Sequence, residues 1–224
     1  MRCIWLTRRC PARVVAPADS GAGFNVITGG SGADTLVATS SSSSNTLFGG
    51  DGNDSIAGGL GFDQVNGNKG DDTIIGQSQI GDWLSGGQGN DLIDATSSIG
   101  HNIIKGNIGA DTIRGSDHGG TLRGGQGDDL IHGGAGHDLF FGDLGSNTIA
   151  GGGGADSFHS GGAGQDLITD FRQAEGDRVL VTPGLTWTAN QVSTDVHVSV
   201  SNGDVIILQN TQLTALSDGW IVNG

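Results

Sequence analysis

The chain has 224 residues, a formal charge of −14 and 44 glycines, about three times the average share of glycine. It has no basic stripe that could neutralise phosphates, which disfavours nucleic acid as a partner. It has no run of 18 apolar residues, so no membrane span is predicted. Because only 5% of the residues are aromatic, a repeat scaffold with a thin core is favoured over a bulky globular core.

The first 23 residues differ from the rest of the chain. Their opening, MRCIWLTRRCPARVV, is basic and contains the two cysteines, Cys3 and Cys10. It lacks an uninterrupted apolar stretch, so it is a poor match to a Sec signal peptide. We expect residues 1–23 to form a disordered tail. A disulfide between the two cysteines is possible, but unpaired thiols are favoured.

A nine-residue pattern follows from about residue 29. It is clearest as GGDGNDSIA (49–57), GGQGNDLID (86–94), GGQGDDLIH (124–132) and GGAGHDLFF (133–141). The glycines permit positive φ and close approach, so the first six residues form a tight turn with exposed carbonyls. The next three form a short strand whose middle residue points inward.

Two such units make one turn of a coil, which gives two parallel sheets with the inward row packed between them. That row is predicted to consist of Leu36, Ile56, Val65, Ile74, Leu84, Ile93, Ile104, Ile113, Leu122, Ile131, Phe140, Ile149, Phe158 and Ile168.

The acidic residues indicate a metal. Glu175 is the one glutamate among 24 acidic residues, which favours short carboxylates held at fixed backbone positions. Loops one coil turn apart lie about 4.8 Å from each other, so their oxygens can reach one ion at about 2.3–2.6 Å. Calcium takes six to eight oxygen ligands at that distance, whereas magnesium prefers a tight octahedron and zinc prefers Cys or His.

These repeats resemble those of RTX (repeats-in-toxin, hemolysin-type) proteins, over roughly residues 24–224. The resemblance implies an all-β fold, a right-handed parallel β-roll, that is, a two-sheet β-solenoid. It also implies calcium as the bound ion.

Alternate units form two columns of aspartates. The first column has Asp34, Asp54, Asp72, Asp91, Asp111 and Asp129, then Asn147 and Asp166. The second has Asn45, Asp63, Asp82, Asn102, Gly120, Asp138 and Asp156. We therefore predict a lopsided roll with about five calcium sites on the first edge and at least one on the second. The predicted ligands are the aspartates of both columns and loop glycines Gly30, Gly32, Gly50, Gly52, Gly87, Gly89, Gly125, Gly127, Gly134 and Gly136.

The repeats are predicted to span residues 24–170 and to be followed by a C-terminal antiparallel β cap at 171–224. Alternating valines around Asn202-Gly203 predict a β-hairpin with a type I′ turn. Leu213, Leu216, Trp220 and Ile221 are expected to cover the end of the core, since a solenoid needs a cap. The resemblance also places an uncleaved type I secretion signal here, which would make the secretion machinery a partner.

Catalytic motifs are lacking, because the chain has neither HExxH nor GxSxG. The leading hypothesis is a secreted, non-enzymatic β-roll that folds on binding extracellular calcium and acts as a structural, adhesive or matrix protein. The alternative is an accessory module of a secreted protease, lipase or polysaccharide epimerase, with an extracellular polysaccharide as a partner. Trp83, Trp187 and Trp220 could stack on a sugar, although packing in the core or cap is favoured. A toxin fragment is disfavoured, because no membrane-active region is visible.

Overall fold

The computed structural model describes residues 2–5, 13–15, 24–38 and 42–223 of the chain. The fold is an all-β parallel solenoid of about eight turns with almost no helix, as predicted for a β-roll. Each turn adds one strand to each of two parallel sheets, and paired residues such as Leu47 and Val65 lie 18 to 20 positions apart in the sequence.

The first sheet contains the longer strands. It is formed by β1 (Arg2–Trp5), β3 (Asn25–Ser31), β5 (Asn45–Asp51), β7 (Asp63–Lys69), β9 (Trp83–Gln88), β11 (Asn102–Ile108), β13 (Gly120–Gln126), β16 (Ser157–Ser160), β18 (Arg178–Val181) and β22 (Ile221–Asn223). The first part of β15 (Asp138–Gly152) also belongs to this sheet.

The second sheet contains mostly three-residue strands. It is formed by β2 (Arg13–Val15), β4 (Thr35–Val37), β6 (Ser55–Ala57), β8 (Thr73–Ile75), β10 (Leu92–Asp94), β12 (Thr112–Arg114), β14 (Leu130–Gly134), β17 (Gly164–Ile168), β19 (Trp187–Val192), β20 (Asp195–Val200) and β21 (Val205–Leu208). The second part of β15 completes it.

The two sheets differ in strand length because first-sheet strands continue into the glycine-rich turn that follows them. Gly50 of β5 pairs with Asn68 of β7, and Asn68 pairs with Gly87 of β9. At the edge where the chain passes from the first sheet to the second, the free loop is therefore short. This edge carries the first column of aspartates, and the opposite edge carries the second.

The core is the inward row between the sheets. All fourteen residues predicted for it are buried, none more than 3% exposed, which confirms the period-two interpretation of each short strand. Equivalent residues stack along the axis, and the rings of Phe140 and Phe158 lie parallel with centroids 5.1 Å apart. The core is one side chain thick on each side, so the edges must contribute to holding the turns together.

The C-terminal antiparallel cap is confirmed. Strands β19, β20 and β21 pair antiparallel, and β21 joins the solenoid by pairing parallel with β17. Trp220 is 7% exposed and packs edge-on against Phe171, while Leu213, Leu216 and Ile221 pack partly buried against the core. Two 3₁₀ segments, Gln173–Glu175 and Leu213–Ala215, connect the cap strands.

The predicted hairpin forms, but its predicted turn type is wrong. Gly203 has a φ of 95°, whereas Asn202 does not have the positive φ that a type I′ turn requires. The backbone N–H of Val200 donates to the carbonyl of Asp204, and that of Gly203 donates to Val200. The loop is thus three residues long, with glycine in the left-handed position.

Two segments of the predicted tail, β1 and β2, pair with β3 and β4. The rest of that tail, residues 1, 6–12 and 16–23, lies outside the described residues. The boundaries at residues 23 and 170 stay predictions. In the described part of the chain, no helix is long and apolar enough to cross a membrane.

Candidate metal centre

The aspartates of the first column form a continuous ladder. From Asp54 to Asp129, the Oδ1 atom of each accepts a hydrogen bond from the backbone N–H of the aspartate one turn earlier. The donor–acceptor distances are 2.7 Å for Asp34 to Asp54 and 2.8 Å for Asp91 to Asp111. The same bond links the intervening pairs and Asp129 to Asn147. Because one carboxylate orders the next turn, the ladder fixes every first-column side chain relative to its neighbours.

The second carboxylate oxygens of this ladder are different. They are buried, and no protein group donates a hydrogen bond to them at Asp54, Asp72, Asp91, Asp111 and Asp129. A buried carboxylate oxygen without a donor is costly unless positive charge compensates it. The first edge therefore carries a row of oxygens suited to a cation.

Burial and crowding both disfavour the charged form of these carboxylates. Burial raises the pKa of Asp54 and of Asp72 to about 6, and the neighbouring column residue adds to the rise. Burial likewise raises the pKa of Asp91 and of Asp129 to about 7, again with repulsion from column neighbours. Backbone hydrogen bonds oppose these shifts but do not cancel them.

The first glycine of each repeat makes room for the carboxylate of the same repeat. A Cβ added at Gly86 would overlap Oδ2 of Asp91, although Gly86 itself does not have positive φ. The other loop glycines serve the backbone. Nine of the ten predicted as ligands have positive φ, and the exception, Gly136, instead lies against the backbone of Gly119.

In the middle of the second edge, neutral side chains form hydrogen bonds that link successive turns. Ser78, Ser98 and Ser116 are buried. The Ser98 hydroxyl donates to the Ser78 carbonyl at 3.0 Å, and the Asn102 amide lies 3.4 Å from the Ser116 hydroxyl. Ser78 also accepts from the N–H groups of Ile80 and Gly81, so it shapes the loop that carries an extra residue before Asp82.

The second column carries charge both within this network and on either side of it. Within it, Asp82 is buried: its Oδ1 accepts from the backbone N–H of Asp63 at 2.9 Å, its Oδ2 has no donor, and burial with repulsion from Asp63 raises its pKa to about 7. Asp63 precedes the network and has donors for both oxygens, from the Asn45 side chain and the Gly59 backbone.

After the network, the N–H of Asp138 donates to Asp156 at 2.9 Å, and the N–H of Asp156 donates to Asp177 at 3.0 Å. Both oxygens of Asp138 lack donors, and burial with repulsion from Asp156 raises its pKa to about 8.

Sequence reasoning missed Asp177 and the three serines. Asp177 continues the second column, and its Gly-Asp-x-Val segment (176–179) repeats the turn-to-strand step of the full motif. The serines each lie four residues before a column position, Asp82, Asn102 or Gly120. The four-residue spacing was visible in the sequence, although the loops of the second edge vary in length.

The donor set fits calcium. In the described residues, no group of three or more His, Cys, Asp or Glu side chains could hold a metal by side chains alone. An ion on the ladder would take carboxylate oxygens from successive turns and backbone carbonyls from their glycine-rich loops. All-oxygen ligation of this kind suits Ca²⁺ rather than zinc. Bound there, a cation would supply the positive charge that the buried oxygens lack.

Comparison with known proteins agrees with this chemistry. The family model of the RTX calcium-binding nonapeptide repeat matches residues 19–42, 48–79, 81–98, 96–119, 115–149 and 140–168, more than half of the chain. The chain belongs to the RTX calcium-binding repeat family. RTX repeats bind calcium, which agrees with the ion predicted from the sequence. The comparison with curated proteins gives no match.

One solved structure similar to this RTX chain is the extracellular lipase LipA from Serratia marcescens. The similarity covers 84% of this chain and 41% of the lipase chain, with 18% identity and a TM-score of 0.37. The RTX chain therefore spans less than half of the length of that protein.

The raised pKa values predict an inverted pH response of the calcium-free chain. An unfolded Asp has a pKa near 3.8, whereas burial raises the pKa of Asp54 to about 6 and that of Asp91 to about 7. Ionising these carboxylates therefore destabilises the folded state as pH rises from the unfolded to the folded pKa. We expect more β-structure at about pH 5 than at about pH 8 without calcium, and recovery at pH 8 when calcium is added. Far-UV circular dichroism measures this; equal calcium-free β-content at both pH values would contradict it.

The packing of Asp91 predicts the effect of a single methyl group. Gly86→Ala should destabilise the calcium-loaded fold by roughly 1–3 kcal/mol, because the added Cβ displaces the carboxylate. Gly153→Ala is the control: its Cβ would meet no atom closer than 3.8 Å, so a change within about 0.5 kcal/mol is expected. Denaturant unfolding in saturating calcium compares the two, and equal stabilities would show that the first glycine is not reserved for the carboxylate.

Proposed function

We propose that this chain is a secreted RTX β-roll that folds on binding extracellular calcium and acts as a structural, adhesive or matrix protein without catalysis of its own. The observation that carries the proposal is the row of buried first-column oxygens without hydrogen-bond donors. Without calcium, neighbouring carboxylates of each column repel one another. At millimolar calcium, bound ions would neutralise their negative charge.

The rest of the fold supports a need for ions. Glycine loses more conformational freedom on folding than any other residue, and this chain has 44 of them. The core contributes one side chain per strand to oppose that entropy. Ions that bind only the folded state add about 2.7 kcal/mol each at a hundredfold excess over Kd, so several sites can decide the balance.

The ligands we propose are those predicted from the two columns. About five ions would lie between successive turns of the first edge, and at least one would lie between Asp138 and Asp156 on the second. Asp63 is the weakest member, because both of its oxygens already have donors. Loop carbonyls from the glycine-rich turns would complete each site.

Secretion is proposed on family grounds. RTX repeat proteins are typically secreted. By the same resemblance, residues 171–224 would address the type I secretion machinery in addition to capping the coil. Low calcium inside the cell and high calcium outside would then separate the unfolded, exportable form from the folded form.

Removing one ladder carboxylate tests the calcium sites. Asp91→Asn should lower the number of bound calcium ions by about one to two, because Asp91 lies between the turns of Asp72 and Asp111. It should also raise the calcium concentration needed for half-maximal folding. Calorimetric titration gives the ion number, and circular dichroism gives the midpoint.

The matched control is Asp117→Asn, which removes the same charge from an exposed loop position. It should leave both measurements unchanged. Equal effects of the two substitutions would indicate general charge reduction rather than ligation. Unchanged β-structure of the unmodified chain in EGTA would overturn the proposal of calcium-driven folding.

A second candidate function, a polysaccharide-binding accessory module, is favoured by the position of Trp83. The expectation that Trp83 packs in the core or cap is wrong: it is 51% exposed on the outer face of the first sheet, with its ring edge-on to Phe62. It lies in an open groove of about 470 Å³. Trp220 is buried as expected, and Trp187 is 39% exposed with its ring against Trp220.

The groove combines an aromatic face with hydrogen-bonding groups. Neighbouring turns place Gln64 beside Trp83, and Asn66, Ser85 and Lys105 in the adjacent outward row. In the described part of the chain, Lys105 makes no ion pair. An exposed ring flanked by amides, a hydroxyl and a free cation suits a sugar chain that carries carboxylates.

Trp83→Ala tests this second function. It should weaken retention on an alginate affinity gel by about tenfold, equivalent to about 1.4 kcal/mol, and leave calcium-induced circular dichroism intact. Trp187→Ala is the control, because it removes a partly exposed tryptophan outside the groove. If the unmodified chain is not retained by alginate or by any gel in a panel of neutral and acidic glycans, the accessory role fails.

A further inference from the structure

Asp204 is a buried acid outside the repeat motif. It follows the turn of the β20–β21 hairpin, is 1% exposed, and has no hydrogen-bond donor at either carboxylate oxygen. The chain thus places an unpartnered carboxylate inside the junction between the cap and the coil. A group of this kind requires a cation or a proton.

The fold brings Asp204 to the same interior as Asp166. Strand β21 pairs parallel with β17, with Val205 opposite Gln165. Alternate residues on each strand are buried: Asp166 and Ile168 on β17, and Ile206 and Leu208 on β21, with Asp204 directly before it. Both carboxylates therefore lie on the inward side, on adjacent strands of the second sheet.

The loop before β17 and the hairpin turn are in direct contact here. The side-chain amide of Asn202 donates to the carbonyl of Gly162 at 3.2 Å. Residues 161–164 belong to the glycine-rich turn that leads to Asp166, so the turn before Asp204 lies against the turn before Asp166.

The negative charges of Asp204 and Asp166 are not balanced by a nearby positive charge in the described part of the chain. Burial raises the pKa of Asp204 to about 7, and the charge of Asp166 adds to the rise. The N–H groups of Val205 and Gly161 oppose it, but neither makes a well-formed hydrogen bond with the carboxylate. Burial also raises the pKa of Asp166 to about 6; the Asn147 side chain and backbone lower it, and Asp143 raises it. Within the described residues, Lys and Arg form no ion pair with either acid.

We propose that Asp204 and Asp166 hold a divalent cation that clamps the C-terminal hairpin onto the last turn of the coil. The inference rests on the proposed calcium binding for the identity of the ion, and it adds a ligand from outside the nonapeptide repeats. Two carboxylates and backbone carbonyls form the all-oxygen set that Ca²⁺ takes. The clamp makes ordering of the cap depend on calcium, even though the cap contains no repeat.

The test uses the full chain and compares Asp204→Asn with Asp218→Asn, an exposed acid of the same cap. Native mass spectrometry counts the calcium ions, and hydrogen exchange measures the amides of 195–208 and of 45–132. Asp204→Asn should bind one ion fewer than the unmodified chain. It should also lose about a hundredfold of the calcium-dependent protection in 195–208, the factor that an ion at a hundred times its Kd supplies. Protection in 45–132 should stay unchanged, and Asp218→Asn should match the unmodified chain.

The same ion number and hairpin protection in Asp204→Asn would overturn the clamp and leave a protonated Asp204, while calcium binding by the coil would still stand. Absence of calcium binding by the unmodified chain would overturn the proposed function as well. If Asp204→Asn does not fold, the unmodified chain decides alone. Protection of 195–208 must then rise with calcium in a step separate from that of 45–132, and a single shared step would overturn the clamp.

Discussion

From Asp54 to Asp129, each buried aspartate of the first edge accepts a hydrogen bond from the turn before it and leaves its other oxygen without a donor. The first half of this arrangement orders the turns, because the bond can form only when successive loops are in register. The second half opposes folding, since negative charge is buried beside negative charge. The backbone therefore orders the turns, and a cation bound at this edge would supply the positive charge that the buried oxygens require.

The core and the edges stabilise the coil in different ways. Aliphatic side chains set the spacing between the sheets and stack along the axis, but each strand contributes one of them. The glycines let the loops lie close enough for the ladder to form, at a high cost in entropy. The edge also limits which residues the loops can contain. Any residue larger than glycine at position 86 would displace the Asp91 carboxylate.

The regular features were predictable because the nine-residue period fixes both face and column. The inward row and the parallel two-sheet coil followed from that period, and residues such as Ile93 and Phe140 are buried as expected. Trp83 was misplaced although it directly precedes the inward Leu84, so the same alternation puts it outside. The position of Asp204 could not be predicted in this way. Asp204 is brought beside Asp166 by the pairing of β21 with β17, and these two segments do not share a sequence pattern. The predicted turn type of the hairpin was wrong for a related reason, since the length of the loop depends on how β20 and β21 pair.

The serine and asparagine bonds in the middle of the second edge give the coil a built-in asymmetry. Uncharged side chains form these bonds, so the bonds themselves do not require a metal, although the buried carboxylate of Asp82 lies among them. Removal of ions bound at the first edge would leave its buried carboxylates uncompensated, while the serine and asparagine bonds of the opposite edge would remain. The two edges would therefore respond unequally to the loss of calcium.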